Sequence, residues 1–303
     1  MIPAAFEYHA PSTLRQAVAI LRRHPGDSKV MAGGHSLLPL MKLRLTQPGH
    51  VVDLGRVAGM TSIEERDGGL AIGAMVTYYM LESSQLVQQS APALAETAAM
   101  VADLQVRNKG TIGGAIAHAD PAADLTAVAL ALEARIRTTG AGRARTIAAD
   151  RFFVDIFTTQ LKETELITEI FVPSQPPRTG SSYQKFANKA SHYAIVGVAA
   201  LVTLDAHGVC QRVRIGVTGA GPIPVRARAS ERYLTGKEPS EGNLAGAAER
   251  ASRGIEFLED LHGSAEYREH LTQVMARRAL ERAVSRAQVY LLFRNLEFEQ
   301  HLN

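Results

Sequence analysis

The stretch Val30 to Leu45, Val-Met-Ala-Gly-Gly-His-Ser-Leu-Leu-Pro-Leu-Met-Lys-Leu-Arg-Leu, constrains the fold more than any other part of the chain. An apolar run ends in Ala32-Gly33-Gly34, and Ser36 then opens a periodic apolar segment. That order predicts a strand, a tight glycine turn and a helix start. Adjacent glycines let the backbone turn sharply and let a ligand approach amides that side chains would cover. The N–H groups at a helix start favour an anion, above all a phosphate. A lone turn of this kind is most often a plain strand-to-helix connection. Here the device recurs farther along, in Arg107-Asn108-Lys109-Gly110-Thr111-Ile112-Gly113-Gly114-Ala115-Ile116.

Neither turn fits the dinucleotide pattern Gly-x-Gly-x-x-Gly or a phosphate loop ending in Gly-Lys-Ser/Thr. Two nests of backbone N–H groups, each in its own α/β unit, suit a pyrophosphate held between them. Spacing alone therefore reaches a phosphate-bearing cofactor and stops.

The chain has 303 residues, 46% apolar and 21% charged, enough for two domains with a substantial core. A net charge of +3 without a basic run gives no nucleic-acid footprint. The single cysteine, Cys210, forms no intrachain disulfide and excludes a cysteine-ligated iron–sulfur cluster held by this chain alone. On a strand it reads as a buried small hydrophobe. The N-terminus lacks the basic and apolar regions of a signal peptide, and no apolar run is long enough to span a membrane. A cytoplasmic chain is the expectation.

Ser12 is a fitting cap for a helix carrying Leu14, Ala17, Ile20 and Leu21. His50 to Leu54 reads as a short buried strand that closes a βαβ-like unit near Gly55. A second unit begins with a strand pair, Met60–Glu65 and Gly69–Gly73, turning through Arg66-Asp67-Gly68-Gly69. Thr77 and Pro92 open helices, and Asp120-Pro121 reads as the cap and first turn of a helix from Ala122 to about Ala134. That helix is apolar nearly all round and should be buried. Strands near Ala134–Thr138 and Leu166–Val172 complete the unit.

The proline-rich stretch Pro173 to Ser182 marks the domain boundary. Beyond it, Tyr183–Ala187, Ala194–Leu204 and Val209–Thr218 read as three antiparallel strands, followed by helices capped at Ser240 and Ser264. The fold class is therefore α+β: domain 1–177, with subdomains about 1–55 and 56–177, and a C-terminal domain 178–303 of a three-stranded antiparallel sheet with a helical bundle.

Ala32-Gly33-Gly34-His35-Ser36-Leu37-Leu38-Pro39, then Thr111-Ile112-Gly113-Gly114 and Asp120-Pro121-Ala122-Ala123-Asp124, resemble the flavin subunit of the molybdenum hydroxylases, the xanthine dehydrogenase family, on its carbon monoxide dehydrogenase side. The resemblance runs through Tyr183-x-Lys185 to the closing Arg277-Arg278-Ala279 and covers almost the whole chain. It implies an FAD-binding domain of the PCMH, or vanillyl-alcohol oxidase, type. It implies FAD held without a covalent bond, passing electrons from 2Fe–2S clusters on a small partner subunit to an external acceptor. The molybdenum cofactor then sits on a large partner subunit, in a dimer of heterotrimers.

Carried over residue by residue, Ala32, Gly33, Gly34, His35, Ser36, Thr111, Gly113 and Gly114 cradle the pyrophosphate. Asp124 accepts hydrogen bonds from the cofactor, and Lys185 and Tyr193 reach the isoalloxazine end, where a lysine stabilises the anionic reduced form electrostatically. No catalytic residue and no metal site is expected on this chain. Ala115 and His118 depart from the family pattern, and the tail with Leu291-Leu292-Phe293 runs longer than expected. His118 and Asp120 have metal-like spacing, but Asp120 is better explained as a helix cap. The competing reading is a self-sufficient FAD-dependent oxidoreductase of the same superfamily, although the C-terminal part has no obvious acid/base cluster.

Overall fold

In the computed structural model, which describes residues 2–66 and 68–300 with side chains through residue 289, the first unit rests on a three-stranded parallel sheet. Its strands β1 (Glu7–His9), β2 (Ser28–Met31) and β3 (His50–Asp53) stand in the order β1-β3-β2. β1, Glu-Tyr-His, has no apolar signal and escapes a reading by hydrophobic pattern. Helix α1 (Leu14–Arg23) buries Ala17, Val18 and Leu21 on one face. Its cap is Thr13 rather than Ser12: the Gln16 N–H donates to Thr13 Oγ1 at 3.2 Å, while Ser12 reaches the Gln16 side chain. β2 runs directly into the first glycine turn and α2 (Leu37–Lys42).

The second unit is an antiparallel five-stranded sheet in the order β4-β5-β10-β6-β7. Its strands are β4 (Ile63–Arg66), β5 (Gly69–Gly73), β6 (Arg135–Thr139), β7 (Arg145–Ala148) and β10 (Leu166–Pro173). Asp67, expected in the β4–β5 turn, lies outside the described residues. A small pair, β8 (Phe153–Asp155) and β9 (Thr158–Thr159), lies between β7 and β10. Helices α3 (Tyr78–Ser83), α4 (Gln85–Ser90), α5 (Pro92–Met100), α6 (Leu104–Arg107), α7 (Ile112–His118) and α8 (Asp124–Ala131) fill the segment between β5 and β6.

Every residue of α8 is buried, as a helix apolar on all sides requires. It begins at Asp124, not Ala122. Ala123 has extended backbone (φ −72°, ψ 121°), and Asp120 Oδ1 accepts the Ala122 N–H at 2.8 Å, so Asp120 caps a turn ahead of the helix.

The sheet changes across residues 174–178. β11 (Thr179–Ala187), β12 (Ala194–Leu204) and β13 (Cys210–Thr218) form the antiparallel set, joined by a fourth strand, β14 (Val225–Arg226), which at two residues is too short to leave a pattern. All eleven residues of β12 are buried, because both faces are covered. Ala199 and Leu201 join the N-terminal core, while Val198, Ala200 and Val202 join the core under the long C-terminal helix. That helix, α11 (Ala265–Gln300), follows α9 (Arg228–Leu234) and α10 (Glu241–Glu249). The side chains of Leu291 to Phe293 lie outside the described residues. Cys210 is fully buried, and burial pushes its thiol up to about 11.

Candidate cofactor site

The turn after β2 leaves its donors open. Gly34 takes a left-handed φ of 75°, which a side chain would resist. Leu38 and Leu40 donate back to the carbonyls of Gly34 and Ser36, at 2.9 and 3.2 Å. The N–H groups of Gly33, Gly34, His35 and Ser36 find no acceptor among the described residues. Ser36 precedes α2 without a side-chain cap bond, so its hydroxyl is open as well.

The second turn is built the other way. Ile112 N–H donates to Val76 O at 3.0 Å, Gly113 N–H to Ala74 O at 2.9 Å, and Gly114 N–H to Thr111 Oγ1 at 3.1 Å. Those three amides are spent inside the fold, and its glycines serve close approach: a Cβ on Gly113 would stand 2.6 Å from Ala74 O. The two segments do meet. A Cβ on Gly33 would stand 2.0 Å from Lys109 O, and one on Gly114 would stand 3.6 Å from Ala32 Cβ. Two nests were expected; one open nest seated on a packed platform is what the backbone builds.

A cavity of about 290 Å³ opens beside that nest. His35 and Ser36 form one wall, Tyr78 and His118 another, and the segment Asp120 to Leu125 a third. The β11–β12 loop, residues 190–193, closes it from the C-terminal domain. His118 packs its ring against Phe157 at 5.0 Å, and burial pulls its imidazole below the ordinary value despite Asp120 nearby, so the ring is neutral at pH 7. Burial also raises the phenols of Tyr78 and Tyr193. Tyr193 is half exposed on the rim.

Asp124, the first residue of α8, faces the cavity yet is engaged behind it. Its Oδ1 accepts from Tyr183 Oη at 2.5 Å and its Oδ2 from Lys185 Nζ at 3.1 Å. Burial pushes the Asp124 carboxyl up, with Lys185 and Tyr183 pulling against it. Lys185 is buried and donates also to the carbonyls of Met100 and His192, both at 2.8 Å. All three ammonium donors are therefore occupied, and the side chain does not line the cavity. The residue expected at the isoalloxazine end instead ties α8 to the β11–β12 loop. No sequence pattern signals that burial.

Tyr78, Asp103 and His192 line the cavity and were not legible as site residues. Tyr78 had a local signal only in hindsight: its N–H donates to Gly110 O at 3.0 Å, directly ahead of the second turn.

Comparison with known proteins places this geometry. Residues 4–175 match the family described as FAD binding domain in molybdopterin dehydrogenase, and residues 181–283 match the CO dehydrogenase flavoprotein C-terminal domain. The chain belongs to this family of FAD-binding molybdopterin dehydrogenase subunits. It is 41% identical to the carbon monoxide dehydrogenase medium chain of Hydrogenophaga pseudoflava over 94% of this chain and 99% of the other. It is 38% identical to the 6-hydroxypseudooxynicotine dehydrogenase complex subunit alpha of Paenarthrobacter nicotinovorans, covering 95% and 97%. Its structure superposes on a chain of the H. pseudoflava carbon monoxide dehydrogenase with a TM-score of 0.92 at 42% identity, covering 94% and 99%. FAD fits the donor set: four open N–H groups and a free hydroxyl suit a pyrophosphate, and no carboxylate stands among them. Among the described residues, no helix is long and apolar enough to cross a membrane.

Proposed function

We propose that this chain is the electron-transferring flavin subunit of a cytoplasmic molybdenum hydroxylase of the carbon monoxide dehydrogenase type. It works beside a small subunit with 2Fe–2S clusters and a large subunit with the molybdenum cofactor, as a dimer of heterotrimers. The observation that carries the reading is the open amide turn Gly33 to Ser36 beside the cavity.

FAD, bound non-covalently, supplies the step that accepts electrons from the clusters and releases them to an external acceptor. The chain's own residues bind and orient it. The N–H groups of Gly33, Gly34, His35 and Ser36, with the Ser36 hydroxyl, hold the pyrophosphate. Ala32, Thr111, Gly113 and Gly114 shape the platform that lets the phosphate reach those amides. Asp124 fixes the start of α8, Lys185 and Tyr183 fix Asp124, and Tyr193 covers the rim. The cavity is at the small end of ligand sites, so a bound dinucleotide would need room beyond it. This division of labour matches a PCMH-type FAD domain over residues 1–177, in subdomains about 1–55 and 56–177, and a closing domain over residues 178–303.

The two relatives quoted above match this chain over nearly their whole length while their names point to unlike substrates, carbon monoxide and a hydroxylated pseudooxynicotine. That contrast supports a substrate choice made on another subunit.

The purified chain is expected to bind one FAD, with the yellow absorbance of an oxidised flavin released by denaturation. Supplied with carbon monoxide, a purine or an N-heterocycle, it is expected to turn over nothing alone. Absence of FAD binding overturns the assignment, and turnover of a primary substrate by the lone chain replaces it with the self-sufficient oxidoreductase.

A further inference from the structure

We infer a second site, for a transition-metal dication, on the first sheet and apart from the flavin cavity. Its ligands are Glu7 Oε2, His9 Nε2 and His50 Nδ1. Glu7 and His9 are two apart on β1, so both side chains leave the same face. His50 stands directly across from Glu7 in the parallel pairing of β1 with β3. The three atoms converge: His9 Nε2 is 3.0 Å from His50 Nδ1, His50 Nδ1 is 3.4 Å from Glu7 Oε2, and His9 Nε2 is 3.8 Å from Glu7 Oε2. Ligands bound to one tetrahedral zinc at about 2.0–2.1 Å lie roughly 3.3 Å apart, which these separations bracket. Two imidazoles and one carboxylate are the donor set of zinc and its neighbours rather than of calcium or magnesium.

The surroundings prepare the site. Asp27 Oδ2 stands 3.9 Å from His50 Nε2, a carboxylate beside the ring nitrogen that faces away from the other two ligands. Asp27 is itself fixed, its Oδ1 accepting the Gly49 N–H at 2.8 Å. Gly49 lets that carboxylate sit against the backbone: a Cβ there would stand 2.2 Å from Asp27 Oδ2 and push it aside. The His24 ring stacks on His50 at 3.6 Å and holds its plane. Glu7 is largely exposed while His50 is nearly buried, which gives an entry path and leaves the fourth position to water or a partner's ligand. The metal would pin the short N-terminal strand to β3, whose other neighbour, β2, carries the phosphate turn.

The full chain is titrated with zinc chloride by calorimetry and with Co²⁺ by visible absorption. The expected result is one equivalent of metal and the intense ligand-field bands of tetrahedral Co²⁺. His9→Gln and His50→Gln each abolish both signals, Asp27→Asn weakens binding about 10- to 100-fold, and His207→Gln, in a remote turn, changes nothing. Zinc X-ray absorption of the wild-type chain reads two imidazoles without any variant, so a folding defect cannot imitate the result. No stoichiometric binding, binding that survives both histidine substitutions, or fewer than two imidazoles overturns the site.

Discussion

Lys185→Met tests whether the second domain holds the cofactor site by a buried ion pair. The ammonium and the Asp124 carboxylate are both almost inaccessible, at 7% and 6% side-chain exposure, and 3.1 Å apart. Removing one member of such a pair leaves an uncompensated buried charge and costs about 3–5 kcal/mol. The carbonyls of Met100 and His192 lose their donor as well. Tyr183 remains to hydrogen-bond the carboxylate, so the lower half of that range is expected. The double variant Asp124→Asn/Lys185→Met removes both charges and should cost less than the two single changes together, by roughly 0.5–3 kcal/mol.

The pH dependence has a definite sign. Burial raises the folded Asp124 value above its ordinary 3.8, and Lys185 opposes that rise. Without Lys185 the folded value climbs further. A carboxyl raised in the folded state contributes most below its unfolded value and loses that contribution as pH rises through the folded value. The Lys185→Met deficit is therefore largest at neutral pH and shrinks on acidification. Urea unfolding of the wild type, both single variants and the double variant at neutral and mildly acid pH measures it. A deficit within the ~0–1 kcal/mol of an exposed ion pair, or one that does not change with pH, refutes the reasoning.

Three further outcomes are expected. Ser36→Ala removes the free hydroxyl beside the open amides; a hydrogen bond to a charged group contributes about 1.5–3 kcal/mol, so FAD affinity falls roughly tenfold or more in a flavin-fluorescence titration while apo-chain stability is unchanged. Gly33→Ala forces a methyl group against the backbone at Lys109 O, at or above the ~1–3 kcal/mol of overpacking, and FAD retention on a desalting column should be lost. His118, lowered by burial from 6.5, contributes stability that is present above 6.5 and lost as pH falls through its folded value; His118→Gln should flatten that acid limb in thermal melts, and an unchanged limb counts against it.

What the residues disclose and what they conceal follows from the range of the interactions. α8 and β12 are legible because burial on every side writes a continuous apolar run. The first glycine turn is legible because its requirement is local: a left-handed Gly34 between a strand and a helix. The second turn looks the same in sequence, yet its amides are occupied by Ala74 and Val76, which no spacing within the turn predicts. Lys185 has the composition of an edge residue, and only the tertiary fold shows its three donors buried on Asp124, Met100 and His192. β1 and β14 are too short and too polar to signal themselves, and β1 brings Glu7 and His9 to His50 through a pairing forty residues distant.

The C-terminal domain closes the cavity with residues 190–193 and also makes the site rigid. α8 is apolar all round, so an isolated N-terminal domain would expose the face that β12 and β13 cover. The Thr218 hydroxyl lies 2.8 Å from Pro121 O and 3.0 Å from Ala123 O, and the Gly219 N–H donates to Pro121 O at 2.7 Å. These bonds fix the turn from which Asp124 enters the cavity wall. Glu133, just past the end of α8, receives Arg212 and Arg214 from β13, and against its partial burial those guanidiniums hold its carboxyl below the ordinary value. The start and the end of one helix are thus both anchored in the second sheet. A phosphate turn on the first sheet can face a wall of fixed position only because that helix cannot shift.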